Sequence, residues 1–198
     1  MMALVILGVG VLAFVEAQQS FADSNSWSTQ AATATFLANE VREMTRRLPR
    51  HDPVTGLYIT NGQLIGWGLE SGEVTAQDLD DLDDLDDLRF GLDGDLPGPI
   101  DAFGDIIPAV DDQGNVLHDE DGNLIPMRGW SQTVTVEKLD PEDNGAAVDH
   151  EATQPPGEGS PGRTVEQFPV RVTVVVEYQG PYDARPREMT RVMWIVPP

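Results

Sequence analysis

The chain has 198 residues, of which 40% are hydrophobic and 7% aromatic, enough for one domain with a modest core and too much for wholesale disorder. Its formal net charge of -22 sets it against the phosphates of nucleic acid, which disfavours direct DNA or RNA binding, and favours cations instead. The absence of cysteine excludes disulfides, thiolate metal sites and cysteine nucleophiles.

The first fifteen residues, Met1 to Val15, carry no charge, and Glu16 ends the run. As a helix they rise about 22 Å, short of the ~30 Å hydrocarbon core of a bilayer. Three structures fit such a run. A cleaved secretory signal is suggested by Val15-Glu16-Ala17, yet no basic residue precedes the apolar stretch. A buried core helix, apolar on all faces, needs a large domain around it. The favoured reading is a membrane anchor whose first residues precede Met1. The residues after Glu16 support it. No proline occurs before Pro49, and Leu37, Val41, Met44 and Leu48 fall at helical spacing. Asn39, Glu40, Arg42, Glu43, Arg46 and Arg47 lie on the opposite face, with Glu43 and Arg47 four apart in the favourable order. Between the two parts, Ala17 to Ala34 is rich in Ala, Ser, Thr and Gln and is a weaker helix. Pro49 and Asp52-Pro53 stop the element.

A helix that is apolar in its first third and amphipathic in its last suits a bilayer or helical bundle at one end and a small head at the other. The stretch Met2 to Ala13 resembles the hydrophobic segment of prepilin-type proteins, nearest to minor pilins of the V type and minor pseudopilins of type II secretion. In that family a Gly-Phe-Thr-Leu-Ile-Glu-Val motif comes first and is cut after its glycine by a prepilin peptidase. The motif is absent here, and Met1 lies about where the family continues after it. Glu16 is too far along the helix to stand for the motif's glutamate.

After the helix, Leu57 to Thr60 and Gln63 to Trp67 flank Asn61-Gly62, a strong hairpin signal. The acidic stretch comes next: from Glu70 to Asp121 there are eighteen acidic side chains and one basic one, Arg89. Its centre is a triplet repeat with Leu79, Leu82, Leu85 and Leu88 three apart. Such leucines drift around an α-helix, and aspartate is a poor interior helix residue. A short turn near Thr75 and Asp78, or an irregular loop held by the leucines, is expected. Asp83, Asp84, Asp86, Asp87, Asp93 and Asp95 offer many oxygens in a short span and are the candidate Ca2+ ligands. The resemblance adds that some pseudopilins hold calcium in their loops. Asp119 to Asn123 matches only part of the calcium-loop pattern, and a solvated acidic loop is the reading preferred over a specific calcium site for the stretch. Asp112 to Leu117 and Asp121 to Ile125 read as two turn-plus-strand units with glycine at positive φ.

Trp130 to Leu139, Val170 to Tyr178 and Met189 to Val196 alternate as strands of a three-stranded antiparallel sheet, for which the Leu37 to Leu48 stripe is the natural cover. The segment from Pro141 to Gly162 reads as an exposed loop. The strand beginning Trp130-Ser131 and the final strand pair also resemble the heads of some prepilin-type proteins. His51, His118 and His150 have no zinc-site spacing, and Gly159-Ser160 lacks a nucleophile-elbow pattern because Glu158 precedes it. No catalytic residue is assigned.

The expected fold is α+β: a long N-terminal helix (1–48), an acidic loop and hairpin region (49–129) and a C-terminal antiparallel sheet (130–198). The resemblance implies a structural subunit of a type IV pilus or type II secretion pseudopilus, held in the bacterial inner membrane by a single transmembrane helix with its head in the periplasm. It then joins a surface filament. Its implied partners are other pilin subunits and prepilin peptidase, and no cofactor beyond Ca2+ is expected. The alternative is an exported, calcium-dependent binding or adhesion module released from a cleaved signal.

Overall fold

The computed structural model describes residues 2–143, 145–157, 159 and 161–198, with side chains from Val11 onward. The fold is α+β. Helix α1 runs Met2–Thr45 and is followed by a hairpin of β1, Tyr58–Thr60, and β2, Gln63–Ile65. A second sheet is formed by β3, Arg89–Gly91, β4, Trp130–Lys138, β5, Val170–Tyr178, and β6, Arg187–Val196.

The 44 residues of α1 span about 66 Å at 1.5 Å each. The polar middle does not interrupt it. Thr29 and Thr35 donate their hydroxyls to the carbonyls of Asn25 and Ala31 at 3.0 and 2.9 Å, so these side chains are satisfied without leaving the helix. The chain leaves the helix through a turn in which the amides of Arg47 and Leu48 bond to Met44 and Thr45, just ahead of Pro49. Asp52 then organises a second turn by accepting from the amides of Val54 and Thr55. No helix among the described residues is long and apolar enough to cross a membrane. The expected single transmembrane helix is therefore not found among them, since the apolar run stops at Glu16.

The hairpin pairs Thr60 with Gln63 across Asn61 and Gly62, both at positive φ, which is the backbone that a two-residue turn between twisted strands needs. The larger sheet is antiparallel throughout, in the order β3-β4-β5-β6. It holds one strand more than the three expected. β3 is only three residues long and pairs Phe90 with Gln132. Gly91 makes that pairing possible, because a Cβ there would lie 2.4 Å from the Trp130 carbonyl and its φ is +93°.

The alternation of the strands places Val134, Val136, Val170, Val172, Val174 and Val176 in the core, under α1. On the helix, Ala34, Leu37, Ala38, Val41 and Met44 are buried against the sheet, and Leu48 packs beside them. From Val11 to Thr29, by contrast, every helical residue is exposed. Gln132 is a polar residue set inside this core. Its amide nitrogen donates to the carbonyls of Leu37 (2.9 Å) and Ile100 (3.0 Å), and its oxygen accepts the Ile100 amide at 2.8 Å. One fully satisfied side chain thus ties helix, sheet and loop together. The expected Glu43–Arg47 pair is replaced by Glu43–Arg46 at 2.7 Å. Arg47 instead reaches the loop, donating to the Ala102 carbonyl and lying over the Phe103 ring.

That loop contains three copies of one turn, one more than the two units expected. Asp101, Asp111 and Asp119 each accept, through Oδ1, the amides two and four residues on, and Gly104, Gly114 and Gly122 sit at φ near +80°. Isolated bridges such as Val110–Val116 and His118–Leu124 close the turns. The partial calcium-loop match at Asp119 is therefore a self-satisfied turn, its carboxylate occupied by its own backbone.

Candidate metal centre

The triplet repeat folds inward as a single compact corner. Leu79, Leu82, Leu85 and Leu88 are all buried, and the only regular turn is a 3-10 turn over Asp83–Leu85. Residues three apart eclipse in that geometry, so a three-residue leucine period suits it better than an α-helix. The corner is pinned to the end of α1 by the Leu82 amide, which donates to the Pro49 carbonyl at 2.9 Å. Ahead of it, Asp78 accepts from the amides of Val74 and Thr75 and from the Thr75 hydroxyl, the turn expected from that pair.

Burying the leucines carries aspartates with them. Asp81, Asp83 and Asp84 are each 0% exposed, so the reading of a solvated acidic loop fails for these three, whereas Asp78, Asp80 and Asp87 of the same repeat are exposed. Two of them brace one another's backbone. Oδ1 of Asp81 accepts the amides of Asp83 (2.8 Å) and Asp84 (3.2 Å), while Oδ2 of Asp84 accepts those of Asp80 (3.0 Å) and Asp81 (3.1 Å). Each carboxylate therefore has one oxygen fixed and one free. The free ones, Asp81 Oδ2 and Asp84 Oδ1, are buried without a hydrogen-bond partner, as are both carboxylate oxygens of Glu70. Oxygens of Glu70, Asp81 and Asp84 lie within 4.8 Å of one another, and a second set, Glu73, Asp80 and Asp84, does the same. Glu73 is held in place by accepting the Glu70 amide through Oε2, at 2.6 Å.

The electrostatics of this group are one-sided. Among the described residues, no arginine or lysine forms an ion pair with any of the five. Burial, reinforced by neighbouring carboxylates, pushes Asp81 up to about 9 and Glu70 up to about 8. Burial also raises Glu73 and Asp84, although backbone amides counter it for both. Such a group needs either shared protons or a cation.

A second buried polar group adjoins it through Asp83. That carboxylate meets His51 Nδ1 and accepts the Gly68 amide at 3.1 Å. Burial pushes Asp83 up to about 7 and His51 down to about 4, so the pair is neutral as a unit near pH 5 to 6. Trp67 stacks on His150 with ring centroids 4.0 Å apart and donates its indole N–H to Asp86 at 3.0 Å. Lys138, wholly buried, donates to the His150 carbonyl and faces the rings of Trp67 and Phe168, and burial lowers it to about 8.

Of the six candidate ligands, only Asp84 belongs to the acidic cluster. Asp83 is taken by His51, and Asp86 accepts from Trp67 and from the Val136 amide at 2.7 Å. Asp95 accepts the Arg89 amide at 3.1 Å, and Asp87 and Asp93 occupy turn positions at φ +58° and +53°. The cluster's other members are Glu70, Glu73, Asp80 and Asp81. Asp80 and Asp81 lie in the same repeat and were accessible to sequence reasoning. Glu70 and Glu73 carry no such signal, since only the fold of the loop returns them to residues 80–84.

A cavity of about 730 Å³ lies elsewhere, between the hairpin and residues 153–156 and 161–167, and none of the five acidic residues lines it. Comparison with known proteins finds no family model, curated protein or solved structure that matches this chain.

Proposed function

We propose that the chain is a structural subunit of a filament of the type IV pilin or pseudopilin class, assembled through its N-terminal helix from the bacterial inner membrane. The observation that carries the reading is the division of α1. Its C-terminal part is buried on the sheet, while Val11, Leu12, Phe14, Val15, Phe21 and Trp27 on the same continuous helix are all more than half exposed. Apolar side chains repeated along 19 exposed residues, from Val11 to Thr29, favour burial against something other than the head. A bundle of identical helices, begun in a bilayer, removes them from water and leaves the acidic head outside. In that setting the partners are further copies of the subunit and related pilins. The resemblance of residues 2–13 to prepilin-type proteins supports the same reading.

The chain has no native cysteine, so single cysteines report contacts directly. In membranes of an expressing bacterium, Val15→Cys and Phe21→Cys should give disulfide-linked dimers, and Tyr182→Cys, at a fully exposed position of the head, should not. A chain that fractionates as a soluble monomer with no helix crosslink would sink the proposal. The buried acidic group keeps a second reading in play, the exported calcium-dependent module. A mature chain that begins at Gln18 by mass spectrometry would select it.

A further inference from the structure

We propose that Glu70, Asp81 and Asp84 hold one Ca2+ ion, with Glu73 and Asp80 on its solvent side, and that this ion locks the leucine-aspartate corner onto the end of α1. Two independent observations meet here. The first is the spacing. Oxygens that share one Ca2+ at about 2.4 Å lie no more than about 4.8 Å apart, and the oxygens of each acidic triad fall within that limit. The second is the set of orphaned atoms. Asp81 and Asp84 are 0% exposed, yet each keeps one oxygen without a partner while the other is fixed by two backbone amides. A buried carboxylate oxygen with no donor is costly, and the three residues that carry such oxygens in this loop form one of the two close sets.

The donor set selects the ion. All five groups are carboxylates, and His51, which adjoins them through Asp83, is committed to that residue. Zinc draws on nitrogen and sulfur ligands, which are missing. Mg2+ keeps most of its water and is held by one or two carboxylates, whereas a crowd of five suits the larger, more adaptable Ca2+. The rigid members are Asp81 and Asp84, and the adaptable one is Glu70, whose two oxygens accept no backbone amide. The ion would therefore join the loop at residue 70 to the turn at 81–84, and Leu82 carries that turn to Pro49 at the helix end. The site lies in the head and stands whether or not the helix builds a filament.

The test is calorimetric titration of CaCl2 into the full chain, kept in detergent and freed of metal with EDTA, at neutral pH and moderate salt, with melting temperature read in parallel. One ion per chain and a higher melting temperature are expected. Asp81→Asn with Asp84→Asn should weaken binding by about tenfold or more and abolish the thermal shift. Asp80→Asn should weaken it less. Asp111→Asn with Asp119→Asn, which alters exposed turns, should leave it intact and so separates the site from diffuse attraction to a charge of -22. Glu70→Gln serves if the double variant does not fold, because that carboxylate braces no backbone amide. A melting temperature unmoved by about 5 mM Ca2+, beyond the range of weak extracellular sites, would overturn the proposal and assign the cluster to shared protons. Unchanged affinity in both Glu70→Gln and the Asp81/Asp84 variant would overturn it equally.

Discussion

Gln132 shows how much a single side chain can decide here. Three of its hydrogen bonds end on main-chain atoms of α1 and of Ile100, and both Gln132 and Ile100 are 0% exposed. Gln132→Leu keeps the volume but leaves the Ile100 amide and carbonyl without partners in a place water does not reach. The expected loss is about 2–3 kcal/mol, the cost of one or two orphaned backbone groups. Thermal or urea unfolding followed by near-ultraviolet circular dichroism checks it. A change within about 0.5 kcal/mol, typical of surface substitutions, would mean that the amide is not bonded as described. In the sequence Gln132 is legible only as one residue on the inward face of a strand. Its partners come from residues 37 and 100, and no local pattern links those positions. His51 and Lys138 were obscure for the same reason. Each is an ordinary polar residue by context, and each is buried because distant segments close over it.

At the scale of elements, the helix and the three long strands were legible because their signals are periodic and local. Leu37, Val41 and Met44 mark the buried stripe, and alternate valines mark the sheet face. β3 was not, because Arg89-Phe90-Gly91 is too short to show a period and its pairing depends on a glycine fitting beneath the Trp130 carbonyl. The Asp-rich repeat was half legible. Its leucines bury as the pattern suggests, but the aspartates follow them inside, where composition alone argues for solvent. The two characters of α1 give a direct contrast. Leu37→Ala opens a void against the sheet and should destabilise the head by about 2–5 kcal/mol. Phe21→Ala removes a ring that is 78% exposed and should change head unfolding by less than about 0.5 kcal/mol. Equal effects from the two substitutions would contradict the division of the helix on which the filament proposal rests.

For the whole molecule, the buried carboxylates set how stability responds to pH. Asp83, Glu70 and Asp81 are held up at about 7, 8 and 9, chiefly by burial, against ordinary values of 3.8, 4.5 and 3.8. A carboxyl raised on folding binds its proton more tightly in the native state. Its contribution is complete below the ordinary carboxylate range and is lost as pH rises through the folded value. Between about pH 6.5 and 9 the unfolded chain has all three ionised, so the native state binds more protons and stability must fall as pH rises. Lys138 acts the other way. Burial lowers it to about 8 from 10.5, so it gives up its proton sooner in the native state and gains stability over the upper part of the window. His51, held near 4 against 6.5, is largely neutral in both states above pH 6.5 and adds little. Three groups oppose one, and growing self-repulsion in an already acidic chain acts with the three. In EDTA the melting temperature should therefore fall from about pH 6.5 to about pH 8.5. Ca2+ competes with the same protons and binds the ionised carboxylates, so it should stabilise more at the higher pH and flatten the decline. Asp81→Asn with Asp84→Asn should flatten it without calcium. A melting temperature that climbs with pH in EDTA would show that the carboxylates at 70, 81 and 83 are ionised in the native head and balanced by some other charge.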